Sequence, residues 1–336
     1  MILETGDWGL ETGDWRLKKQ ISNLQSLISN WSDTPRLDAQ VLLAHITGRP
    51  RSWVLAHPEA DLDPDQRRAL AAALTCLESG TPLPYVLGHW EFYGLDYNID
   101  PAVLIPRPET ELLVETALEW LKKLPSPVGS TPSGMLREGV GGEGIRAADV
   151  GTGSGCIAVT LTAHIPNLRV TATDISPAAL QIARTNARKH HVAESIEFIH
   201  ADLLDLHPSI SLRTSLQPAS FSLIAANLPY IPTETLHDLD VFGREPTLAL
   251  DGGPDGLNLI RRLMHSVPRY LTPGGLLLVE IEASQGTAAL TLARKAFPAA
   301  EISLHPDLSG HDRLIYIETP TADRDPNGFF QDSSRK

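Results

Sequence analysis

Apolar positions along this chain change their period partway through. Leu17, Ile21, Leu24 and Ile28 recur at the spacing of one helix face. Thr34-Pro35 and Asp63-Pro64 each set a capping residue before a first-turn proline, and the helices they open end at Gly48 and Gly80. Aromatic and β-branched residues between Tyr85 and Ile99, broken by Gly88 and Gly94, predict a short hairpin, and Glu109 to Leu124 a further helix. Beyond position 145 short apolar runs alternate with helical stretches. Ile145–Val150, Arg169–Asp174, Ser195–His200, Ser222–Asn227, Gly275–Ile281, Glu301–Leu304 and Arg313–Thr319 read as strands. Helical segments between the first three imply βαβ units and a parallel, doubly wound sheet. The link from Leu304 to Arg313 is shorter than the dozen or so residues of a crossover helix, so the last strand should pair antiparallel with its predecessor. The expected fold is therefore α/β, with a seven-stranded, mostly parallel sheet whose last strand is reversed and a small helical N-terminal domain.

Irregular segments divide the chain further. Residues 1–16 contain a tandem copy, Leu3-Glu4-Thr5-Gly6-Asp7-Trp8 and then Leu10-Glu11-Thr12-Gly13-Asp14-Trp15, too short for a repeat array and read as a disordered terminus. Residues 125–144, rich in Pro, Gly and Ser, read as a flexible insertion, as do 207–220 and the tail 320–336. The expected domains are a helical domain over 17–84, a hairpin linker over 85–105 and an α/β domain over 106–319.

Charge and cysteine usage narrow the function classes. The 336 residues carry 28 Lys and Arg against 41 Asp and Glu, a net charge of −13. A protein that neutralises phosphates usually has the opposite balance, which weighs against a nucleic-acid substrate. The two cysteines, Cys76 and Cys156, have no zinc or CxxC spacing. With no apolar run near 18 residues and an acidic N-terminus, the expectation is a cytoplasmic protein without membrane contact or metal.

The first strand runs into Asp149-Val150-Gly151-Thr152-Gly153-Ser154-Gly155-Cys156. Glycines there permit a tight turn and close approach of a ligand to backbone amides. The spacing is G-x-G-x-G, not the dinucleotide G-x-G-x-x-G, and no Gly-Lys-Ser/Thr follows as in a P-loop. An acid before the first glycine disfavours a pyrophosphate and suits a cationic ligand without phosphate, such as S-adenosylmethionine. Asp174 ends the second strand, where such sheets present a carboxylate to ribose hydroxyls. Asp202, past the third strand, is placed for the adenine edge, with Leu203 as an apolar wall.

Asn227-Leu228-Pro229-Tyr230 follows the fourth strand. A planar NH₂ is a poor nucleophile because its lone pair is delocalised. Two acceptors that hold both its N–H bonds orient it for attack. The Asn227 side-chain oxygen and the Leu228 carbonyl can serve, Pro229 fixes the turn, and the Tyr230 ring can pack on the flat acceptor group. Catalysis would then be mainly positioning, with no dedicated general base.

With these motifs on the page, the chain over about 17–318 resembles the release factor glutamine methyltransferases, also called PrmC or HemK. The resemblance is carried by Tyr85–Gly88, Glu91–Leu95, Val103–Glu111, the glycine loop, Asn227–Tyr230, Glu245-Pro246, Ala249–Gly253 and Asp255–Leu257. It implies a Rossmann-like methyltransferase sheet, S-adenosylmethionine as cofactor with S-adenosylhomocysteine as product, and class 1 peptide-chain release factors as the protein substrate of a monomer. The implied reaction is N5-methylation of the glutamine in their Gly-Gly-Gln motif. By the same resemblance Gly151, Thr152, Gly153, Ser154, Gly155 and Asp174 bind the cofactor, Asn227–Tyr230 hold the glutamine, and Arg107–Thr110 line the site. The chain departs from the family at Leu228, where proline is usual, and at Leu203, where many members have an aromatic residue. The alternatives are a ribosomal-protein glutamine methyltransferase, an N6-adenine methyltransferase, whose exocyclic amine poses the same lone-pair problem, and a binding module on a degenerate methyltransferase fold.

Other polar residues read as structural. Cys156 suits a packing position, Arg261-Arg262 a solvated helix face, and Asp312-Arg313 an ion pair. Glu280 and Glu282 stand at the end of the fifth strand, where they can approach the site or serve structural hydrogen bonds.

Overall fold

A computed structural model describes residues 14–29, 34–124, 145–206 and 218–321. The N-terminal duplication up to Gly13, the 125–144 insertion, the core of the 207–220 segment and the tail from residue 322 lie outside the described residues. The chain divides into one unit ending at Gly88 and a second beginning at His89.

The first unit is helical: α1 (Leu17–Ile28), α2 (Pro35–Thr47), α3 (Arg51–Ala56), α4 (Pro64–Glu78) and α5 (Leu83–Leu87). Leu17, Leu24 and Ile28 of α1 are buried, as the periodicity requires. At α4 the Asp63 carboxylate accepts from the Asp65 and Gln66 amides while the Gln66 side chain returns to the Asp63 amide, a complete capping box. Helix α2 closes at Gly48, whose amide donates to the Ala44 and His45 carbonyls. Helix α5 departs from the sequence expectation, which put Tyr85 at the start of a hairpin. Proline in its first turn and a left-handed Gly88 at its end make 83–87 one helical turn, and the hairpin begins only at His89.

The second unit opens with that hairpin, β1 (His89–Phe92) and β2 (Leu95–Asn98). The elements α6 (Thr110–Lys123), β3 (Arg146–Val150), α7 (Cys156–His164), β4 (Arg169–Asp174), α8 (Pro177–Lys189), β5 (Ile196–Asp202) and β6 (Asp205–Leu206) follow. The chain continues through β7 (Phe221–Ala226), α9 (Thr233–Leu236), α10 (Asn258–Ser266), β8 (Leu271–Glu280), α11 (Gly286–Ala296), β9 (Glu301–Pro306) and β10 (Asp312–Glu318). The strand order is β6-β5-β4-β3-β7-β8-β10-β9. β3 pairs in parallel with both β4 and β7, β7 with β8, and the reversed β10 is antiparallel to β8 and β9. Seven of these strands are the expected sheet. The eighth, two-residue β6, was not legible, because it exists only where Leu203, with φ 57°, folds the chain back so that Asp202 faces Asp205.

Leu223–Ala226 and Leu276–Val279 are buried at every position, the mark of strands covered on both faces. Helix α7 packs on both α6 and α8, and α10 packs on α11. The consequence for function is that β3, β4, β5, β7 and β8 all present their C-terminal ends to one edge, where an open α/β sheet binds its ligand.

One expected ion pair is re-partnered. Neighbouring residues on a strand face opposite sides, so Arg313 turns away from Asp312 and its guanidinium meets Asp307 at 3.3 Å.

Candidate active site

The turn after β3 carries Gly151, Gly153 and Gly155, all with positive φ. At Gly155 a side chain is excluded twice, by φ 83° and by Ala183 of α8 only 3.1 Å from where a Cβ would stand. That close approach seats the first turn of α7 on α8. Asn186, buried on the same stripe of α8, donates to the Ser154 carbonyl at 2.8 Å and brackets the Asn98 backbone with its donor and acceptor. The loop is thus tied to hairpin and helix by one amide side chain.

Two carboxylates hold the loop from below. Asp149 is fully buried; its Oδ2 accepts from the Thr152 hydroxyl at 2.6 Å and the Ala158 amide at 3.1 Å, and its Oδ1 has no partner among the described residues. The acid before the first glycine therefore braces the loop. Asp174 accepts from the Gly153 amide and the Ser176 amide, both at 2.8 Å, and burial raises its pKa against the lowering of those amides.

These groups line one cavity of about 390 Å³. Gly151, Thr152, Gly153, Ser154, Asp174, Asp202, Leu203, Asn227, Leu228 and Pro229 all face it. Gly155 and Tyr230 stand outside its lining. Tyr230 points its hydroxyl at Glu280 Oε1, 3.3 Å away, while its carbonyl accepts from Gln285 at 2.8 Å. The acceptor turn is clipped in place by the segment that follows it. Ile231 exchanges backbone hydrogen bonds with Leu250 and Gly252, and a Cβ at Gly256 would overlap the Tyr230 carbonyl.

Asn227 turns its Nδ2 onto the Thr110 hydroxyl at 2.9 Å, so its Oδ1 is the atom left for a ligand. Arg107 is ion-paired with the buried Glu245, whose other oxygen accepts from the Ile105 amide at 3.2 Å. Arg262, exposed on its helix face as expected, also pairs with Asp202 at 2.8 Å on the cavity rim. Glu282 caps the turn after it through the Ser284 amide. Cys156 lines the cavity, but burial pushes its thiol up to about 12, so it is no nucleophile at neutral pH.

Sequence reasoning placed the loop and the acceptor turn and put Thr110 at the site without an individual role, but assigned none to Asn186, Glu245 or Gln285. Asn186 carried a usable signal, a lone amide on an otherwise apolar helix stripe. Thr110 and Glu245 carried none beyond standing in the motif segments.

The cavity suits a phosphate-free, cationic nucleoside. Both arginines that face it are already neutralised by carboxylates, so no unpaired cation among the described residues awaits a pyrophosphate. The Asp174 carboxylate retains lone pairs for a ribose diol, and Ile175, Ala201 and Leu203 supply apolar walls. No group of His, Cys, Asp and Glu among the described residues has a metal-binding arrangement.

Burial lifts Asp149 to about 7 and Glu280 to about 7. In the unfolded chain such carboxyls titrate near 4, so between about pH 4 and 7 the folded state holds protons that the unfolded state has lost. Stability therefore falls as pH rises through that window. The melting temperature is expected to be higher at about pH 6 than at about pH 8, and Asp149→Asn combined with Glu280→Gln should flatten the difference. A wild-type melting temperature that instead rises from about pH 6 to 8 would contradict this.

A glycine loop, a carboxylate at the second strand and an acceptor turn at the fourth, on this sheet, define a Rossmann-like methyltransferase. Comparison with known proteins agrees: a profile described as "PrmC N-terminal domain" matches residues 24–88, and one described as "Methyltransferase domain" matches 147–239. The release factor glutamine methyltransferase of Moorella thermoacetica is 39% identical and aligns over 87% of this chain and 94% of its own. That of Coxiella burnetii is 36% identical over 87% of this chain and 95% of its own. Among solved structures, the release-factor-specific protein-(glutamine-N5) methyltransferase of Alicyclobacillus acidocaldarius aligns with 26% identity over 67% of this chain and 99% of its own, with a TM-score of 0.37. The chain belongs to the release factor glutamine methyltransferase family.

Proposed function

We propose that this enzyme uses S-adenosylmethionine to methylate the side-chain amide nitrogen of the glutamine in the Gly-Gly-Gln motif of class 1 peptide-chain release factors. The observation that carries the reading is the orientation of Asn227, with its nitrogen occupied by Thr110 and its oxygen left for the cavity. The bound cofactor would supply an electrophilic methyl group and S-adenosylhomocysteine as leaving product. Asp174 would accept from the ribose hydroxyls, the Gly151–Ser154 backbone, with its first three amides engaged by the Thr173 carbonyl and Asp174, would lie against the amino-acid end, and Leu203 would pack on the adenine. Asp202 has one oxygen committed to Arg262, which leaves the other to meet the adenine edge.

At the acceptor side, Asn227 Oδ1 and the Leu228 carbonyl would each take one N–H of the glutamine amide. With both N–H bonds held, the nitrogen lone pair is turned out of conjugation and toward the methyl. The Leu228 carbonyl accepts no hydrogen bond within the described residues, so leucine in place of proline removes no acceptor. Pro229 fixes the turn, and Tyr230 supports it from behind. The positioning alone contributes several kcal/mol to lowering the barrier. The site of action would be the cytoplasm, where release factors work. No helix among the described residues is long and apolar enough to cross a membrane.

An adenine acceptor would present the same NH₂ geometry, but the paired arginines and the net charge of −13 offer little to a phosphate backbone. The test is transfer of labelled methyl to a purified class 1 release factor, run beside its Gly-Gly-Gln Gln→Ala variant and a duplex oligonucleotide. Label confined to the unaltered factor is the expected result. Label on the oligonucleotide and none on the factor would replace the glutamine reading with the adenine one.

A further inference from the structure

The acceptor turn is held at its far end by one side chain. Gln285, in the connection from β8 to α11, is 5% exposed. Its Nε2 donates to the Tyr230 carbonyl at 2.8 Å and to the Asp255 carbonyl at 3.4 Å, and its Oε1 accepts from the Glu282 amide at 3.1 Å. A carbonyl can only accept and a backbone amide can only donate. These partners therefore admit the Gln285 amide one way round, and neither a carboxylate nor an apolar side chain satisfies all three. The fit is close, because a Cβ at Gly256 would overlap both the Tyr230 carbonyl and Gln285 Nε2.

Among the described residues, the Tyr230 carbonyl is the one backbone group of Leu228–Tyr230 that has a hydrogen-bond partner. The Leu228 carbonyl stands two residues earlier, and Pro229 between them has its φ locked by its ring. With the Tyr230 carbonyl held, few torsions remain through which the Leu228 carbonyl can swing. The Tyr230 hydroxyl meets Glu280 at the start of the same connection, so both ends of the residue are tied to 280–285. We propose that Gln285 is a positioning residue for methyl transfer, whose amide pins the Tyr230 carbonyl and through it aims the Leu228 carbonyl at the acceptor nitrogen. The inference rests on the reading of Asn227–Tyr230 as the holder of the glutamine amide. Gln285 stands outside the cavity lining, so its effect on the reaction passes through the turn. Its loss alters the alignment of the reacting groups rather than ligand affinity, and a misplacement of about 1 Å can lower a rate by about 100-fold.

The test measures kcat and KM on a release factor, with the affinity for S-adenosylhomocysteine, for the wild type, Gln285→Met, Gln285→Glu and Glu282→Ala. Gln285→Met keeps the length and loses the donor. It should lower kcat by about 10- to 100-fold, with both KM values and the affinity within about 3-fold of wild type. Gln285→Glu keeps an acceptor for the Glu282 amide and, ionised at about pH 8.5, sets an oxygen against the Tyr230 carbonyl. It should lose as much, and it serves if Gln285→Met fails to fold. Glu282→Ala removes the carboxylate that accepts from the Ser284 amide and leaves the bond to Tyr230 in place, so kcat should stay within about 3-fold of wild type. Wild-type kcat in either Gln285 variant overturns the proposal, as does a loss confined to KM or to S-adenosylhomocysteine affinity. An equal fall of kcat in Glu282→Ala also overturns it, by tracing the effect to the order of the 282–285 turn rather than to the donated hydrogen bond. Failure of the underlying reading looks different: the wild type would put no methyl on the factor, or Asn227→Ala would match it.

Discussion

Asn227→Ala is expected to bind the cofactor with nearly wild-type affinity and to transfer its methyl group about 100- to 1,000-fold more slowly. The substitution removes the side-chain acceptor that the turn after β7 offers to an incoming NH₂, and loss of a single preorganised hydrogen-bonding group at a reacting centre commonly has an effect of that size. The fold should tolerate it. Asn227 lies just past β7, its side chain bonds only Thr110 among the described residues, and the turn around it is held by backbone hydrogen bonds of Ile231 with Leu250 and Gly252. Asn227→Asp provides a second readout, because an acid keeps an acceptor at the site but cannot donate to Thr110. Single-turnover rates at saturating cofactor separate the effect on chemistry from any effect on binding. A variant with unimpaired single-turnover rate would remove Asn227 from the acceptor site.

Asp174→Ala is expected to act on binding instead. Its carboxylate accepts from the Gly153 and Ser176 amides, and it is the group placed to accept from a ribose diol. Hydrogen bonds to a charged partner contribute about 1.5–3 kcal/mol each. Loss of the diol contact, with the loop released from below, should weaken S-adenosylhomocysteine binding by about 100-fold or more. Asp174→Asn keeps one oxygen and should lose about 10-fold, since neutral hydrogen bonds are roughly half as strong. Calorimetric titration with S-adenosylhomocysteine reads both. Affinity within about 3-fold of wild type for the alanine variant would place the ribose elsewhere.

Much of this protein was legible in the sequence because its ligand edge is built from strand ends. The short apolar runs located β3, β4, β5, β7, β8, β9 and β10, and whatever followed each run had to lie on that edge, which is why Gly151–Ser154, Asp174, Asp202, Leu203 and Asn227–Pro229 meet in one cavity. What escaped was decided by pairing at long range. Arg107 and Glu245 are far apart in the chain, and no local periodicity announces that they meet. Arg262 is exposed as its helical position implies, but its pairing with Asp202 was not legible, because helical spacing says nothing about a carboxylate at the end of another strand. The helical turn at Leu83–Leu87 was missed because aromatic and β-branched composition outweighed its two prolines, although proline in a first turn and glycine after the last are helix punctuation. Tyr230 was expected against the acceptor group, yet its hydroxyl is directed to Glu280 behind the turn, an outcome that depends on where β8 ends.

The most direct test of the account is fragmentation mass spectrometry of a class 1 release factor after incubation with this enzyme and S-adenosylmethionine. A single added methyl is expected on the glutamine of the Gly-Gly-Gln motif, carried by the side-chain nitrogen and formed far more slowly when Asn227→Ala replaces the wild-type enzyme. A methyl group on any other residue of the factor, or one on that glutamine made equally well by Asn227→Ala, would contradict it.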